Sequence, residues 1–505
     1  MKFNISAEKF LDSLTKLNFV IPSSSHSTLP LLANIFCELK GNELTMVATD
    51  LESFIKTVIE VDGSEDGAVA VPARKILELI KALVTKIAIT ASVDFEKESY
   101  DRISGAVILS DEFIDKIKYN RTEQCLIYKG SYPSQDLEKW TVLHEKNKMF
   151  IESSRNAELE THYETMEQAG EEKMTSKLII QKLFADYVKL EQAVERLFSA
   201  AEKAFKKNAE KIKITVASND KNKVTVTSKT GKYNFFGEPV DDYPQAEDRT
   251  DLTKIEVSGV TLKRFLLKVK HSVMFDEIRR NMSGVFFDIR KNELRFVATD
   301  GFRLSKILTT NFSHENSKDD NFIVPLKTCE LLPRILGDEK VILEYDETMI
   351  KFTMNNLVLY SKLIDDSFPN YETVIPKDND KKLIVNRYEL QAALRRALIF
   401  TDLVIKRVKF EVNENGLTIK SDNPEMGGEG EETIPAEFKT FDGDVLAEPF
   451  SIAFNLAYLL DCLTQIETDE VIFTFGSPSK ASIALPFGNQ SDEEFMELIM
   501  PVRVG

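Results

Sequence analysis

The chain is poor in the residues on which small secreted folds and metal-bound folds depend. Its 505 residues include only four cysteines, five histidines and one tryptophan. Cys37, Cys125, Cys329 and Cys462 are scattered without CxxC spacing, which argues against structural zinc and against a disulfide framework. His26, His144, His162, His271 and His314 form no metal-ligating pair, and no metal or other cofactor is expected. No stretch approaches the roughly 18 uncharged apolar residues of a membrane-spanning helix. The opening MKFNISAEKF has no apolar run, so a secretory signal is not expected and a reducing cytoplasm fits best. The patterns GxxxxGK[ST], GxGxxG and GxSxG are missing. Positive charge is also in deficit. Lys and Arg total 65 against 82 Asp and Glu, a net charge of −17. Such a surface as a whole repels nucleic acid, so any DNA contact requires charge that is locally sorted.

What is present is length and repetition. A chain of 505 residues suggests about three domains, and 43% apolar with 29% charged residues is an ordinary globular composition. KFNISAEKFLDSLTKL from Lys2, KIEVSGVTLKRFLLKV from Lys254 and KLIVNRYELQAALRRA from Lys382 align without gaps. Phe3, Ile255 and Leu383 coincide, as do Ile5, Val257 and Val385. Each segment then passes a polar residue suited to capping (Ser6, Ser258, Asn386) into apolar residues at helical spacing. Each predicts a short strand running into an amphipathic helix. A hairpin-like block follows in NELTMVATDLESFIKTVIEV, NELRFVATDGFRLSKILTTN and NGLTIKSDNPEMGGEGEETI. A strand-then-helix block recurs in AVAVPARKILELIKAL, NFIVPLKTCELLPRIL and PFSIAFNLAYLLDCLT. A fourth block, again extended, is clearest in VTVTSKTGKYNFFGEPVDDYP and IKFTMNNLVLYSKLIDDSFPNY. Order kept across blocks marks a triplication.

Spacing locates an insert. Val324 and Phe368 are 44 residues apart, whereas the matching Val71 and Tyr243 are 172 apart. Repeat one therefore carries about 128 extra residues between roughly Val84 and Lys207. Both TKIAITAS from Thr85 and KIKITVAS from Lys211 suit the strand slot at its edges. Within it, Leu183, Tyr187, Leu190, Val194, Leu197 and Ala201 form a heptad-like seam, predicting a long helix that packs on its own neighbours.

Several blocks carry a resemblance. MKF at the start, TLPLLANI from Thr28, ATDLE at 48–52, VPARK at 71–75, ATDGFRLS at 298–305, DSFPNYETVIP at 366–376, SDNPE at 421–425 and MPVR at 500–503 resemble, in order, the β subunit family of bacterial DNA polymerase III, the sliding clamps. The resemblance covers everything except the insert. It implies an α+β fold of three clamp-type domains, each a helix pair on antiparallel sheets, closing head to tail as a homodimeric ring. Expected boundaries are 1–250 with an insert of about 84–207, then 251–378 and 379–505. It implies a non-catalytic processivity factor that encircles duplex DNA without sequence readout. Polymerase and clamp loader would dock through short linear motifs, with no membrane involved. A ring or scaffold without DNA is the alternative.

The implied partner groove comprises Met282, Thr299, Gly301, Phe302, Arg303, Leu304, Pro369, Val374, Leu498, Met500, Pro501, Val502 and Arg503. Apolar walls, adaptable Met and a few polar groups suit an extended peptide. The implied subunit contact is Tyr233 and Phe235 against Ile399 and Phe400. If the helices face the hole, their exposed positions should be basic. The expected DNA-facing set is Arg74, Lys75, Lys263, Arg264, Lys268, Lys327 and Arg396, with His26 in a loop where the family often has a basic residue. Asp50 and Asp300 recur in identical ATD contexts, which raises acid–base or Mg²⁺ chemistry. The third repeat has Asn423 instead, so local turn formation is the better reading.

Overall fold

A computed structural model describes residues 1–22, 29–84, 89–94, 96, 117–120, 125–130, 171–209, 213–219, 221–247, 249–274, 276, 278–314, 319–402, 405–413, 416–423, 427–444, 449–488 and 492–502. Repeat one runs β1 (Lys2–Ser6), α1 (Ala7–Asn18), β2 (Asn34–Lys40), β3 (Glu43–Thr49), β4 (Ser53–Glu60), β5 (Asp62–Glu65), β6 (Gly67–Pro72) and α2 (Ala73–Val84). Next come β7 (Ile89–Asp94), β8 (Ile117–Asn120), β9 (Cys125–Gly130) and α3 (Glu171–Ala209). The repeat closes with β10 (Lys213–Ser218), β11 (Lys223–Thr227) and β12 (Lys232–Phe236). Repeat two runs β13 (Thr253–Ser258), α4 (Gly259–Val269), β14 (Gly284–Arg290), β15 (Glu293–Thr299), β16 (Arg303–Thr309), β17 (Asp320–Pro325), α5 (Leu326–Ile335), β18 (Lys340–Tyr345), β19 (Met349–Met354) and β20 (Leu357–Lys362). Repeat three runs β21 (Lys381–Asn386), α6 (Arg387–Ala397), β22 (Arg407–Asn413), β23 (Gly416–Asn423), β24 (Gly428–Ile434), β25 (Ala436–Thr440), β26 (Phe450–Asn455), α7 (Leu456–Gln465), β27 (Glu470–Phe475), β28 (Ser482–Pro486) and β29 (Glu493–Ile499).

The positions that coincide across repeats are the ones that pack. Phe3, Ile5, Ile255, Val257, Leu383 and Val385 are buried, as are Phe10 and Leu14, Leu262 and Leu266, and Leu390 and Leu394 on the following helices. Each such side chain contributes about 1.5–3 kcal/mol of transfer free energy. In every repeat the two helices pack as a pair, α1 with α2, α4 with α5 and α6 with α7. Two of the three expected caps form. Ser6 accepts from the Lys9 amide at 3.2 Å, and Asn386 accepts from Tyr388 and Glu389 at 3.0 and 3.1 Å. Ser258 has the extended backbone of a cap but makes no side-chain cap bond.

The first strand of each repeat pairs antiparallel with the strand after the second helix: β1 with β10, β13 with β18, β21 with β27. KIKITVAS therefore fills the strand slot, and Ile89–Asp94 belongs to the insert, where β7, β9 and β8 form a separate sheet. α3 packs on β7 and β9, with Tyr128 and Phe198 ring centroids 5.6 Å apart. Leu190, Val194, Leu197 and Ala201 of its seam are buried, while the Leu183 and Tyr187 side chains lie outside those described.

The chain forms two compact units, Met1–Ala48 with Thr57–Tyr243, and Thr49–Lys56 with Pro244–Gly505. The second and third repeats thus share one unit. The physical reason is β16, which pairs with β29 from Arg303↔Ile499 to Thr309↔Glu493 and makes one sheet in the order β17-β14-β15-β16-β29-β28-β27-β21-β25. Repeat three adds the sheet β24-β23-β22-β26, and the first unit holds the sheet β12-β11-β10-β1-β5. Among the described residues, no helix is long and apolar enough to cross a membrane.

Candidate functional site

The turn between β15 and β16 organises the expected groove. Asp300 Oδ1 accepts the Phe302 and Arg303 amides, both at 2.9 Å. Thr299 Oγ1 accepts the Gly301 amide at 3.1 Å and donates to the Arg303 carbonyl at 2.6 Å. Gly301 sits at φ +86°, where a side chain is strained, and this throws Phe302 outward to 56% exposure. Asp50 holds the Glu52 and Ser53 amides in the same way at 3.0 and 2.7 Å. Turn formation accounts for both aspartates. No group of three or more metal-ligating side chains is clustered among the described residues.

The C-terminal strand lies against this turn. Leu304 and Leu498 are cross-strand partners, both buried. Beyond β29 the Met500 amide donates to the Phe302 carbonyl at 2.8 Å, and the Val502 amide to the Ala453 carbonyl at 2.8 Å. Leu304 and Leu498 join Val297, Tyr371, Ala481 and Met496 in one apolar cluster, with Phe286, Phe368 and Ile375 packed against it. Pro369 and Val374, both exposed, are carried on that same Phe368–Ile375 segment. Met282 is buried on a one-turn helix, Arg280–Met282, and its carbonyl accepts the Met274 amide at 3.2 Å. Met500 and Phe302 stay exposed beside each other, a sticky rim over an apolar floor. Arg503 and His26 lie outside the described residues.

Residues that sequence reasoning missed hold the groove's polar parts. Arg303 donates to Asp300 at 3.1 Å, to Asp461 at 2.6 Å and to the His271 carbonyl at 2.5 Å, and its guanidinium stacks 4.5 Å from the Tyr458 ring. Asp461 and Tyr458 come from α7, more than 150 positions away, and carry no sequence signal. The Tyr371 hydroxyl donates to Asp288 at 2.7 Å beneath Arg290 and Arg295. Burial, with Asp288 adding to it, pushes that hydroxyl up to about 12.

The expected DNA-facing cations divide. Arg74, Lys75 and Lys263 are exposed on α2 and α4. Lys327 pairs with Asp50, and Arg396 pairs with Glu432 at 2.9 Å. Arg264 pairs with Glu467 at 3.2 Å and with Glu493 at 3.0 Å. Lys268 is a correction. It is 6% exposed, pairs with Glu467 at 2.9 Å and also donates to the Gln465 carbonyl, so it is not an exposed helix cation. Burial holds its ammonium below the ordinary lysine value, against the pull of Glu467.

Models of the DNA polymerase III β subunit match this chain in order: the N-terminal domain over residues 1–106, the central domain over 256–370 and the C-terminal domain over 372–503. A β sliding clamp from Rickettsia felis is 30% identical over 290 residues, 55% of this chain and 74% of that protein. The chain belongs to the β sliding clamp family. A Vibrio cholerae β sliding clamp is 29% identical over 287 residues, 56% of this chain and 74% of its own length. A Pseudomonas aeruginosa sliding clamp solved bound to griselimycin shares the fold, with a TM-score of 0.68 over 100% of both chains at 20% identity.

In this clamp chain the expected subunit-contact residues sit on one sheet edge, Tyr233 and Phe235, and beside another, Ile399 and Phe400. β12 ends one sheet and carries Tyr233, 39% exposed, and the half-buried Phe235. Phe236, at 72% exposure, was missed, although the run KYNFF shows it. β24 ends another sheet, and Ile399 and Phe400 precede it in space on a one-turn helix, Leu398–Phe400, with Ile399 77% exposed. Gly430 of β24 lies under the Phe400 ring, where a Cβ would meet the ring at 3.0 Å.

Proposed function

We propose that this clamp closes head to tail with a second copy around duplex DNA and tethers DNA polymerase to it, without catalysis. The observation that carries the tether is the groove where β16 meets β29. Phe302, Val374 and Met500 are exposed there above a floor containing Leu304 and Leu498. An apolar trough beside a fixed guanidinium suits a short extended segment of a polymerase or clamp loader.

Internal repetition supports the ring. β16 of repeat two pairs with β29, the last strand of repeat three. The strand of repeat three that corresponds to β16 is β24, and the last strand of repeat one is β12. Both are edges in the sheets of a single chain. A second copy supplies the missing neighbour for each, and heterologous pairing of this kind closes into a ring when the rotation allows. Tyr233, Phe235, Ile399 and Phe400 are the proposed contact, with Phe236 added. The domains are proposed as 1–250, with the insert at 85–212, then 251–378 and 379–505.

Arg74, Lys75 and Lys263 are proposed to face DNA, with Lys327 and Arg396 as partly neutralised neighbours. Weak, sequence-independent phosphate contacts permit sliding, whereas tight base contacts would stop it. The proposed compartment is the cytoplasm, where Cys37, Cys329 and Cys462, all buried and unpaired, stay reduced. The test is loading onto nicked circular DNA. Retention on circles that disappears when the DNA is linearised is expected, and retention on neither form would sink the clamp reading.

A further inference from the structure

Strand β29 has two faces, and only one of them belongs to the groove. Met496 and Leu498 join the groove cluster. The alternate residues Glu493, Phe495 and Glu497 point the other way, as strand periodicity requires. There they meet Arg264, Lys268 and His271, which lie four and then three residues apart on one face of α4 and the single turn after it. Arg264 Nη1 is 3.0 Å from Glu493, the Lys268 ammonium is 5.3 Å from the centre of the Phe495 ring, and His271 Nε2 is 3.0 Å from Glu497. Four helical residues rise about 6 Å, and two strand residues span roughly 6.7 Å, so the first two rungs stay matched. From Lys268 to His271 the chain rises only about 5 Å, and the 3.0 Å contact of His271 with Glu497 shows that the third rung still meets.

The inner rung is the most demanding. Glu497 is 1% exposed and accepts from Ser305 at 2.7 Å, its cross-strand partner on β16. Ser305 in turn lies 2.5 Å from Ser272. A buried carboxylate without such partners costs several kcal/mol. A two-residue slip of β29 in either direction would leave one carboxylate without its base, and it would also separate Ser305 from Glu497. Apolar packing alone discriminates such a slip poorly, because it returns the same face to the core.

We propose that this three-rung zipper sets the register of β29 and so positions the groove floor, with Arg264, Lys268, His271, Glu493 and Glu497 as positioning residues. What the floor binds rests on the groove reading above; the register device does not. The zipper, together with Glu467, accounts for Arg264 and Lys268 not being free cations on a helix otherwise suited to DNA.

The experiment uses the full chain with Arg264→Glu, Glu493→Arg and both together, since this rung is the outermost and least disruptive to folding. Circular dichroism first establishes that each variant is folded. Hydrogen exchange of the amides in 493–500 is then measured. Each single reversal is expected to speed exchange about tenfold, and the double to exchange more slowly than either single. Wild-type exchange in the singles, or a double at least as fast as its singles, overturns the proposal. Binding of griselimycin, which a Pseudomonas aeruginosa clamp was solved holding, provides the second readout, with Phe302→Ala and Met500→Ala testing whether it seats in this groove. Each zipper single should bind several-fold more weakly, with partial recovery in the double. If Phe302→Ala and Met500→Ala bind like wild type, griselimycin sits outside this groove and the exchange data alone decide the zipper. If only those two variants weaken binding and exchange is unchanged, the zipper alone fails.

Discussion

Arg303 shows how much constraint one side chain can carry. Its guanidinium meets two carboxylates, one carbonyl and one aromatic ring, so little rotamer freedom remains to be lost on binding a partner. Arg303→Ala should weaken groove ligands by more than about tenfold in a titration and leave Asp461 without its ion pair. Arg303→Lys should not restore binding, because a point charge cannot reproduce the fork. Tyr371 makes a pH prediction. Its hydroxyl is raised by burial to about 12 from 10.0. Between those values the unfolded chain loses the proton and the native chain keeps it. The associated stability is therefore full below pH 10 and lost as pH rises toward 12, by an amount on the order of 2 kcal/mol. Tyr371→Phe should flatten that slope in denaturant melts at pH 9 and 11. At this scale the sequence was readable where chemistry is local. The ATD turns need a carboxylate that accepts the amides two and three residues on, and that residue is visible at Asp50 and Asp300. The positive-φ position is taken by Leu51 in one and Gly301 in the other. Lys268 was unreadable, because its partners Glu467 and Phe495 arrive from nearly 200 and more than 220 positions away.

Elements were legible where a hydrophobic period repeats. The strand–helix openings of all three repeats follow from residues three and four apart, and each was found buried. The insert's edges were not legible, because TKIAITAS and KIKITVAS have the same alternation. Only pairing with β1 separates them. In repeat two, α5 ends at Ile335 and β18 begins at Lys340, so four residues suffice for the connection that the insert occupies in repeat one. Replacing residues 85–212 with the four-residue sequence LGDE should therefore leave a folded chain, checked by circular dichroism and a single cooperative melt. Loss of β10 pairing, seen as rapid amide exchange in Lys213–Ser218, would show that the insert is needed to close the sheet. Gly430→Val, which would drive a Cβ branch into the Phe400 ring, should weaken subunit association several-fold in sedimentation.

For the molecule as a whole, a charge of −17 and a DNA role are compatible if enclosure rather than net affinity holds the duplex, with the few exposed cations proposed above facing it. If the ring holds DNA by enclosure, salt that strips phosphate contacts should leave it on a nicked circle. Retention at 0.5 M salt on circles, with rapid loss from linear DNA, is the expected outcome of a gel-filtration assay. Ile399→Glu with Phe400→Glu should give monomers in sedimentation, since both side chains sit beside an unpaired edge. Dimers that persist would sink that assignment. Triplication was legible because order is kept across four blocks. Which repeats would merge into one unit was not, because it depends on β16 meeting a strand near the far end of the chain.

That same long reach bears on how the protein is made. Asn4 bonds to Thr215 across 211 positions, and Ser305 bonds to Glu497 across 192. At a synthesis rate of about 5–20 residues per second, each strand waits roughly 10–40 s for its partner to leave the ribosome. During that interval β1 and β16 are uncovered edges on a nascent chain. The insert fills the first wait with a sheet and helix that pack on each other, so that stretch can order locally while β1 has only β5 beside it.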